Sequence, residues 1–82
     1  MISIDDFKGA SFERKCELVT TQTTYLSSRM EEEKKVYLYH TGKFFIEVFY
    51  SPLFRRVLLI RAFNDSNSLA PYVEIVSLED LN

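Results

Sequence analysis

The chain has 82 residues, with 10 lysines and arginines against 12 aspartates and glutamates, and therefore a formal net charge of −2. This length predicts one small domain, residues 1–82, and leaves no room for a second. Hydrophobic residues make up 46% of the chain and charged residues 27%, which excludes a typical disordered composition. Cys16 is the only cysteine, so an intrachain disulfide and a multi-thiolate zinc site are excluded.

Two helical segments are predicted at the start of the chain. Ser3 is suited to cap a short turn through Asp6, which Gly9 would end. Ser11 is suited to cap a helix over residues 11–20, because an apolar side chain recurs there at helical spacing. The apolar face of this helix would carry Phe12, Cys16 and Val19.

Strand patterns dominate the centre of the chain. The β-branched composition after Thr20 predicts a first strand over residues 23–30, and the charged residues 31–35 are typical of a solvated turn. Residues 37–50 read YLYHTGKFFIEVFY, which predicts a β-hairpin. A further strand is predicted over residues 55–63 after Pro52 breaks the hairpin.

The hairpin register depends on the length of its loop. A three-residue loop, residues 41–43 with Gly42 in the left-handed conformation, would keep the aliphatic residues of both strands on one face. The predicted pairs are His40 with Phe44, Leu38 with Ile46, and Val36 with Val48.

A short C-terminal helix is predicted near the end of the chain. Turn residues at positions 64–66 precede apolar side chains at helical spacing, namely Leu69, Tyr72, Val73 and Val76. Pro71 is tolerated only in the first turn of this helix, and residues 77–81 could add one further turn.

These elements predict an α+β fold with two layers: an antiparallel β-meander of three or four strands with short N-terminal and C-terminal helices, in the order αββββα. The helices would cover an aliphatic face of the sheet made of Val36, Leu38, Ile46, Val48, Leu58 and Ile60. The other face would be largely aromatic, with Lys43, Glu47 and Arg61 as its polar residues and with Tyr37, Tyr39, Phe45, Phe49, Val57, Leu59 and Phe63.

Three interpretations of the aromatic face compete. It could be a second core under a helix or loop, the interface of a face-to-face homodimer, or a surface for a planar ligand. We expect self-association through this face together with binding of a protein partner. The residues that would form the interface or ligand face are Tyr37, Tyr39, Phe45, Glu47, Phe49, Leu59, Arg61 and Phe63.

The alternative function is binding of a small ligand or of single-stranded nucleic acid. Residues 42–50, GKFFIEVFY, resemble the aromatic strand of the RNA-recognition motif, in which aromatic side chains stack on bases. Phe45 stands where that motif has a small residue, and the predicted element order differs from βαββαβ. The only local group of basic residues is Arg55, Arg56 and Arg61, which is too small for the broad positive surface that phosphates require, so nucleic acid is an unfavoured partner.

No catalytic or cofactor site is predicted. His40, the single histidine, would lie at a hairpin end, and Cys16 would lie on an apolar helix face, so neither has an evident chemical partner. Neither a phosphate-binding glycine loop nor a cluster of metal ligands is present in the sequence. Without a signal peptide or an apolar span, we expect a cytoplasmic, non-enzymatic protein that uses no cofactor or metal and does not insert into membranes.

Overall fold

The computed structural model describes residues 2–72 and confirms the predicted α+β fold with an antiparallel meander. Its two α-helices and four strands follow the chain without a crossover, and a 3₁₀ segment comes last. The elements are α1 Ile4–Lys8, α2 Phe12–Gln22, β1 Thr24–Glu31, β2 Lys34–His40, β3 Phe45–Ser51, β4 Arg56–Phe63 and the 3₁₀ segment Ser66–Tyr72.

Serine caps begin both helices, as predicted. The Ser3 hydroxyl accepts a hydrogen bond from the Asp6 backbone N–H at 3.1 Å, and the Ser11 hydroxyl accepts one from the Arg14 N–H at 3.1 Å. Each bond satisfies an N–H that has no partner within its helix. Gly9 ends α1, also as predicted.

The buried side of α2 differs from the predicted one. Leu18 and Val19 are buried and Cys16 is half-buried, whereas Phe12 is exposed. Phe12 is the first residue of the helix, so its side chain lies at the end of the helix rather than over the sheet. The helix also continues two residues past the predicted end at residue 20.

The predicted hairpin register is wrong by one residue. His40 pairs with Phe45, Leu38 with Glu47 and Val36 with Phe49, instead of with Phe44, Ile46 and Val48. A shift of one residue turns every side chain of one strand to the other face relative to its partner. Val36 and Leu38 are therefore buried on the face opposite Ile46 and Val48.

The Thr41 side chain explains this register. Its hydroxyl oxygen lies 3.1 Å from the backbone nitrogens of Lys43 and Phe44 and accepts their hydrogen bonds, while the Thr41 N–H donates to the Phe44 carbonyl. The loop therefore extends to Phe44, whose ring packs against Phe7 in the core, 5.8 Å between centroids. Gly42 has φ +99°, which confirms its predicted left-handed conformation.

The sheet consequently has two covered faces. On the helix face, α1 and α2 pack through Phe7, Leu18 and Val19 onto the centre of the sheet. This face carries Tyr37, Tyr39, Ile46, Val48, Ile60 and Ala62. The opposite face carries Val36, Leu38, Phe45, Glu47, Phe49, Leu59, Arg61 and Phe63.

The predicted positions of Leu58 and Val57 are also wrong, because the pairing of β3 with β4 contains a bulge. Phe49 pairs with Leu59 but Tyr50 pairs with Val57, so Leu58 is the extra residue of the bulge. Leu58 is exposed rather than covered by the helices, and Val57 packs against the helix-face core rather than lying on the aromatic face.

The 3₁₀ segment lies against the opposite face of the sheet. Its Leu69 and Tyr72 are buried with Leu38 and Phe63. The helical turns begin at Ser66, so Pro71 lies near the end of this segment and not in the first turn of a helix. The predicted continuation through residues 73–76 and the turn at 77–81 lie outside the described residues.

Candidate interaction surfaces

The structure divides the predicted site between the two faces. Tyr37 and Tyr39 lie on the helix face, because they pair directly with Val48 and Ile46. The other six predicted residues share the opposite face: Phe45, Glu47, Phe49, Leu59, Arg61 and Phe63. Because β2 is shifted by one residue, no single aromatic platform contains all eight side chains.

A buried carboxylate occupies the centre of the opposite face. Glu47 is 2% exposed and accepts three hydrogen bonds, from Arg61 Nη1 at 2.7 Å, Arg29 Nη2 at 3.2 Å and the Tyr72 hydroxyl at 2.7 Å. The bond with Arg61 joins directly opposed residues of β3 and β4. Burial of a carboxylate is tolerated only when its charge is compensated in this way.

The same cluster changes the acidity of its members. Burial, together with the hydrogen bond to Glu47, raises the pKa of Tyr72 above its usual range. Burial alone would lower the pKa of Arg29, but hydrogen bonds with Tyr72, Glu31 and Glu47 outweigh it and raise that pKa. Tyr72 is therefore a proton donor held in its neutral form, and Arg29 a fixed cation.

Arg61 connects the cluster to the start of the 3₁₀ segment. Its Nη2 donates to the Ser68 hydroxyl at 3.0 Å, and that hydroxyl donates to Asp65 at 2.8 Å. The hydrogen bonds from Ser68 lower the pKa of Asp65. Glu47 is bonded to β1, β4 and the 3₁₀ segment, and Arg61 is bonded to Ser68 of that segment, so this cluster anchors the 3₁₀ segment to the sheet.

Three tyrosines group together on the helix face, where Tyr37 and Tyr39 pack against the core beneath the helices. The ring of Tyr25 lies 5.7 Å from that of Tyr39 and 6.3 Å from that of Tyr37. Lys35 Nζ lies 5.3 Å from the Tyr37 ring centroid. Burial raises the pKa of Tyr39, and the neighbouring Tyr37 and Tyr25 raise it further. The cluster is a small, neutral aromatic surface beside one cation.

The most exposed apolar side chains lie at one end of the sheet, where the β1–β2 turn and the β3–β4 loop meet. Leu53 is 74% exposed and Phe54 64% exposed, and Leu58 in the bulge lies beside them. The Ser51 hydroxyl accepts a hydrogen bond from the Phe54 N–H at 3.1 Å, which holds the loop in place. We call Leu53, Phe54 and Leu58 the apolar end.

Opposite charges flank the apolar end. Glu32 and Glu33 in the β1–β2 turn line the same cleft as Leu53 and Phe54. On the other side, the Arg56 guanidinium lies 5.7 Å from the Phe54 ring centroid. Arg55, next to it, holds a positive φ of 54°, a conformation that costs free energy in a residue other than glycine.

The sheet separates the two residues with reactive side chains. Cys16 packs against the helix-face core, whereas the His40 ring lies 4.5 Å from that of Phe45, its partner on the opposite face. Within residues 2–72, no group of three or more His, Cys, Asp or Glu side chains is placed to hold a metal ion. None of the helices described here is long and apolar enough to cross a membrane.

Sequence reasoning missed Arg29, Tyr72 and the apolar end. Arg29 and Tyr72 lie 18 and 25 positions from Glu47, and no local periodicity links them. Leu53 and Phe54 follow Pro52 in a turn, where two adjacent large apolar residues are a signal that could have been used. Comparison of the chain with protein-family models, curated proteins and solved structures found no match.

Proposed function

We propose that this protein is a non-enzymatic binding protein that self-associates through the apolar end and binds a protein partner as a dimer. The observation that carries this proposal is the exposure of Leu53 and Phe54 on a loop held by hydrogen bonding. Large apolar residues presented in this way are typical anchors of protein interfaces.

A second copy of the chain fits this end by charge. The acidic turn, Glu32 and Glu33, lines the apolar cleft together with Lys34, which pairs with Glu32, and the Arg56 guanidinium lies beside Phe54. A two-fold axis through that cleft would bring Glu33 of one copy to Arg56 of the other, and isologous dimers are the commonest oligomers. The same contact would remove Leu53 and Phe54 from water.

The sheet end is favoured over the sheet face as the interface. Leu69 and Tyr72 already cover part of the opposite face, and Glu47 is buried beneath them. Binding of nucleic acid through stacked aromatic side chains is disfavoured, because Tyr37 and Tyr39 lie on the opposite face of the sheet from Phe45 and Phe49. Catalysis is disfavoured because the sheet separates Cys16 from His40 and because Glu47 is buried from solvent.

The test is the molar mass in solution, measured by sedimentation equilibrium. We expect the wild type to be a dimer and Leu53→Ser with Phe54→Ser to be a monomer. Phe12→Ser is the matched control, because Phe12 is half exposed but lies on α2. An unchanged mass for the Leu53 and Phe54 variant, or a monomeric wild type, would contradict the proposal.

Charge exchange tests the two-fold arrangement. Arg56→Glu should weaken the dimer, since it would face the acidic turn of the partner copy. Adding Glu33→Lys to Arg56→Glu should restore the dimer, because the charges are then exchanged on both sides of the interface. Failure of the double variant to recover association would refute this arrangement of the copies.

A further inference from the structure

Among residues 2–72, the outer edge of β4 pairs with no other strand and lies along a groove. β4 pairs with β3 on one side, and no backbone hydrogen bond from residues 2–72 reaches its other side. The groove has a volume of about 490 Å³. One wall is formed by β4 and the residues after it, 59–65, and the other by Phe7 in α1 and two lysines. An exposed strand edge of this kind accepts an additional strand from another chain.

Cations line this groove. Lys8 from α1 and Lys15 from α2 lie on the helix side, and Arg61 lies on β4 itself. Neither lysine forms an ion pair with any other residue in the described part of the chain. The one carboxylate in the groove, Asp65, accepts hydrogen bonds from the Ser68 N–H and hydroxyl. Arg61 is already paired with Glu47, so Lys8 and Lys15 are the positive charges that the groove offers to a ligand.

A second copy of the chain is a poor occupant of this edge. Two β4 strands paired about a two-fold axis would bring Lys8 and Lys15 of one copy towards the same residues of the other. Like charges opposed across a strand pair are destabilising. The complementary occupant is instead an extended segment that carries carboxylates.

We infer that the edge of β4 binds an extended acidic segment of a partner protein as a fifth strand. Side chains of a strand alternate between its two sides. Acidic residues at every second position would face Lys8 and Lys15, and the apolar residues between them would lie beside Leu59, which is half exposed, and Phe63. This site is separate from the apolar end, so either proposal can fail without the other.

The experiment is binding of nine-residue peptides to the full chain, measured by calorimetry. The probe alternates valine and glutamate. One comparison peptide has lysine in place of glutamate, and another keeps the valine–glutamate sequence but carries N-methyl groups at alternate backbone positions. The N-methyl groups remove the N–H donors through which an added strand pairs. We expect the glutamate peptide alone to bind.

Matched variants locate the site. Lys8→Gln with Lys15→Gln should weaken peptide binding about tenfold, the loss of two partly exposed ion pairs. Arg14→Gln with Lys43→Gln removes the same charge from residues outside the groove lining, and should change the affinity by less than about twofold. Equal losses in the two variants would contradict a site at this edge.

Hydrogen exchange provides a readout of strand addition itself. At a peptide concentration of 100 times Kd, the outward-facing β4 amides should exchange about 100-fold more slowly, because only the free protein exchanges. Three outcomes would overturn the inference: unchanged exchange in β4, equal binding of the N-methylated peptide, or binding of an oligothymidylate without binding of the glutamate peptide. The last outcome would show that the groove recognises phosphate instead.

Discussion

The substitution Glu47→Gln should destabilise the fold by about 3 kcal/mol. Glu47 is buried and receives hydrogen bonds from Arg29, Arg61 and Tyr72, and glutamine keeps its shape while removing the charge. Removing one member of a buried ion pair costs about 3–5 kcal/mol, because the remaining charge is left uncompensated. The Arg61 side chain is 44% exposed, so water can solvate its charge in the variant, and the expected cost lies at the lower end of this range.

Urea denaturation followed by circular dichroism measures this cost. With a denaturant slope of about 1 kcal/mol per molar urea for a small domain, the unfolding midpoint should fall by about 3 M. Glu17→Gln is the matched control, because Glu17 forms an exposed pair with Arg14 that contributes less than about 1 kcal/mol. A loss below about 1 kcal/mol for Glu47→Gln would refute the anchoring role of the cluster.

Three further substitutions have defined outcomes. Gly42→Ala should lower the free energy of unfolding by about 1 kcal/mol in urea titrations, because a residue with a Cβ is strained at positive φ. The added Cβ meets no atom within 4 Å, so backbone strain is the whole expected cost, and a smaller loss would mean that φ is not positive. Wild-type stability should fall above about pH 10 by up to about 1.4 kcal/mol per pH unit, because Tyr72 loses its proton at a lower pH in the unfolded chain than in the folded protein. An equal slope in Tyr72→Phe would contradict this. Cys16→Ala should cost about 1 kcal/mol and leave partner binding unchanged, whereas rapid alkylation of Cys16 in the native protein would indicate a chemical role.

The fold was predictable where local chemistry determines it. Ser3 and Ser11 cap helices, and strands follow one another in a meander, because capping and alternation act over a few residues. The positive φ of Gly42 was predictable for the same reason.

The division of residues between the faces was not predictable in this way. Apolar residues occur at consecutive positions in β2, β3 and β4, so alternation alone allows more than one register. The hydroxyl of Thr41 and the burial of Phe44 against Phe7 decide between them, and both depend on the folded loop. The bulge at Leu58 likewise depends on how β4 pairs with β3, and the residues of β4 alone do not indicate it.

The candidate surfaces show the same limit. Glu47 and Arg61 were predicted on the same face of the sheet from strand alternation, whereas Arg29 and Tyr72 come from distant parts of the chain. The exposure of Leu53 and Phe54 depends on a loop conformation that no periodicity describes.

An isotope-filtered nuclear Overhauser spectrum shows whether two copies of the chain meet at the apolar end. The sample mixes uniformly labelled and unlabelled chains, so that only contacts between copies give signals. We predict signals from the side chains of Leu53, Phe54 and Leu58. Signals from Phe49 and Leu59 on the sheet face instead, or no signals between copies, would contradict the account.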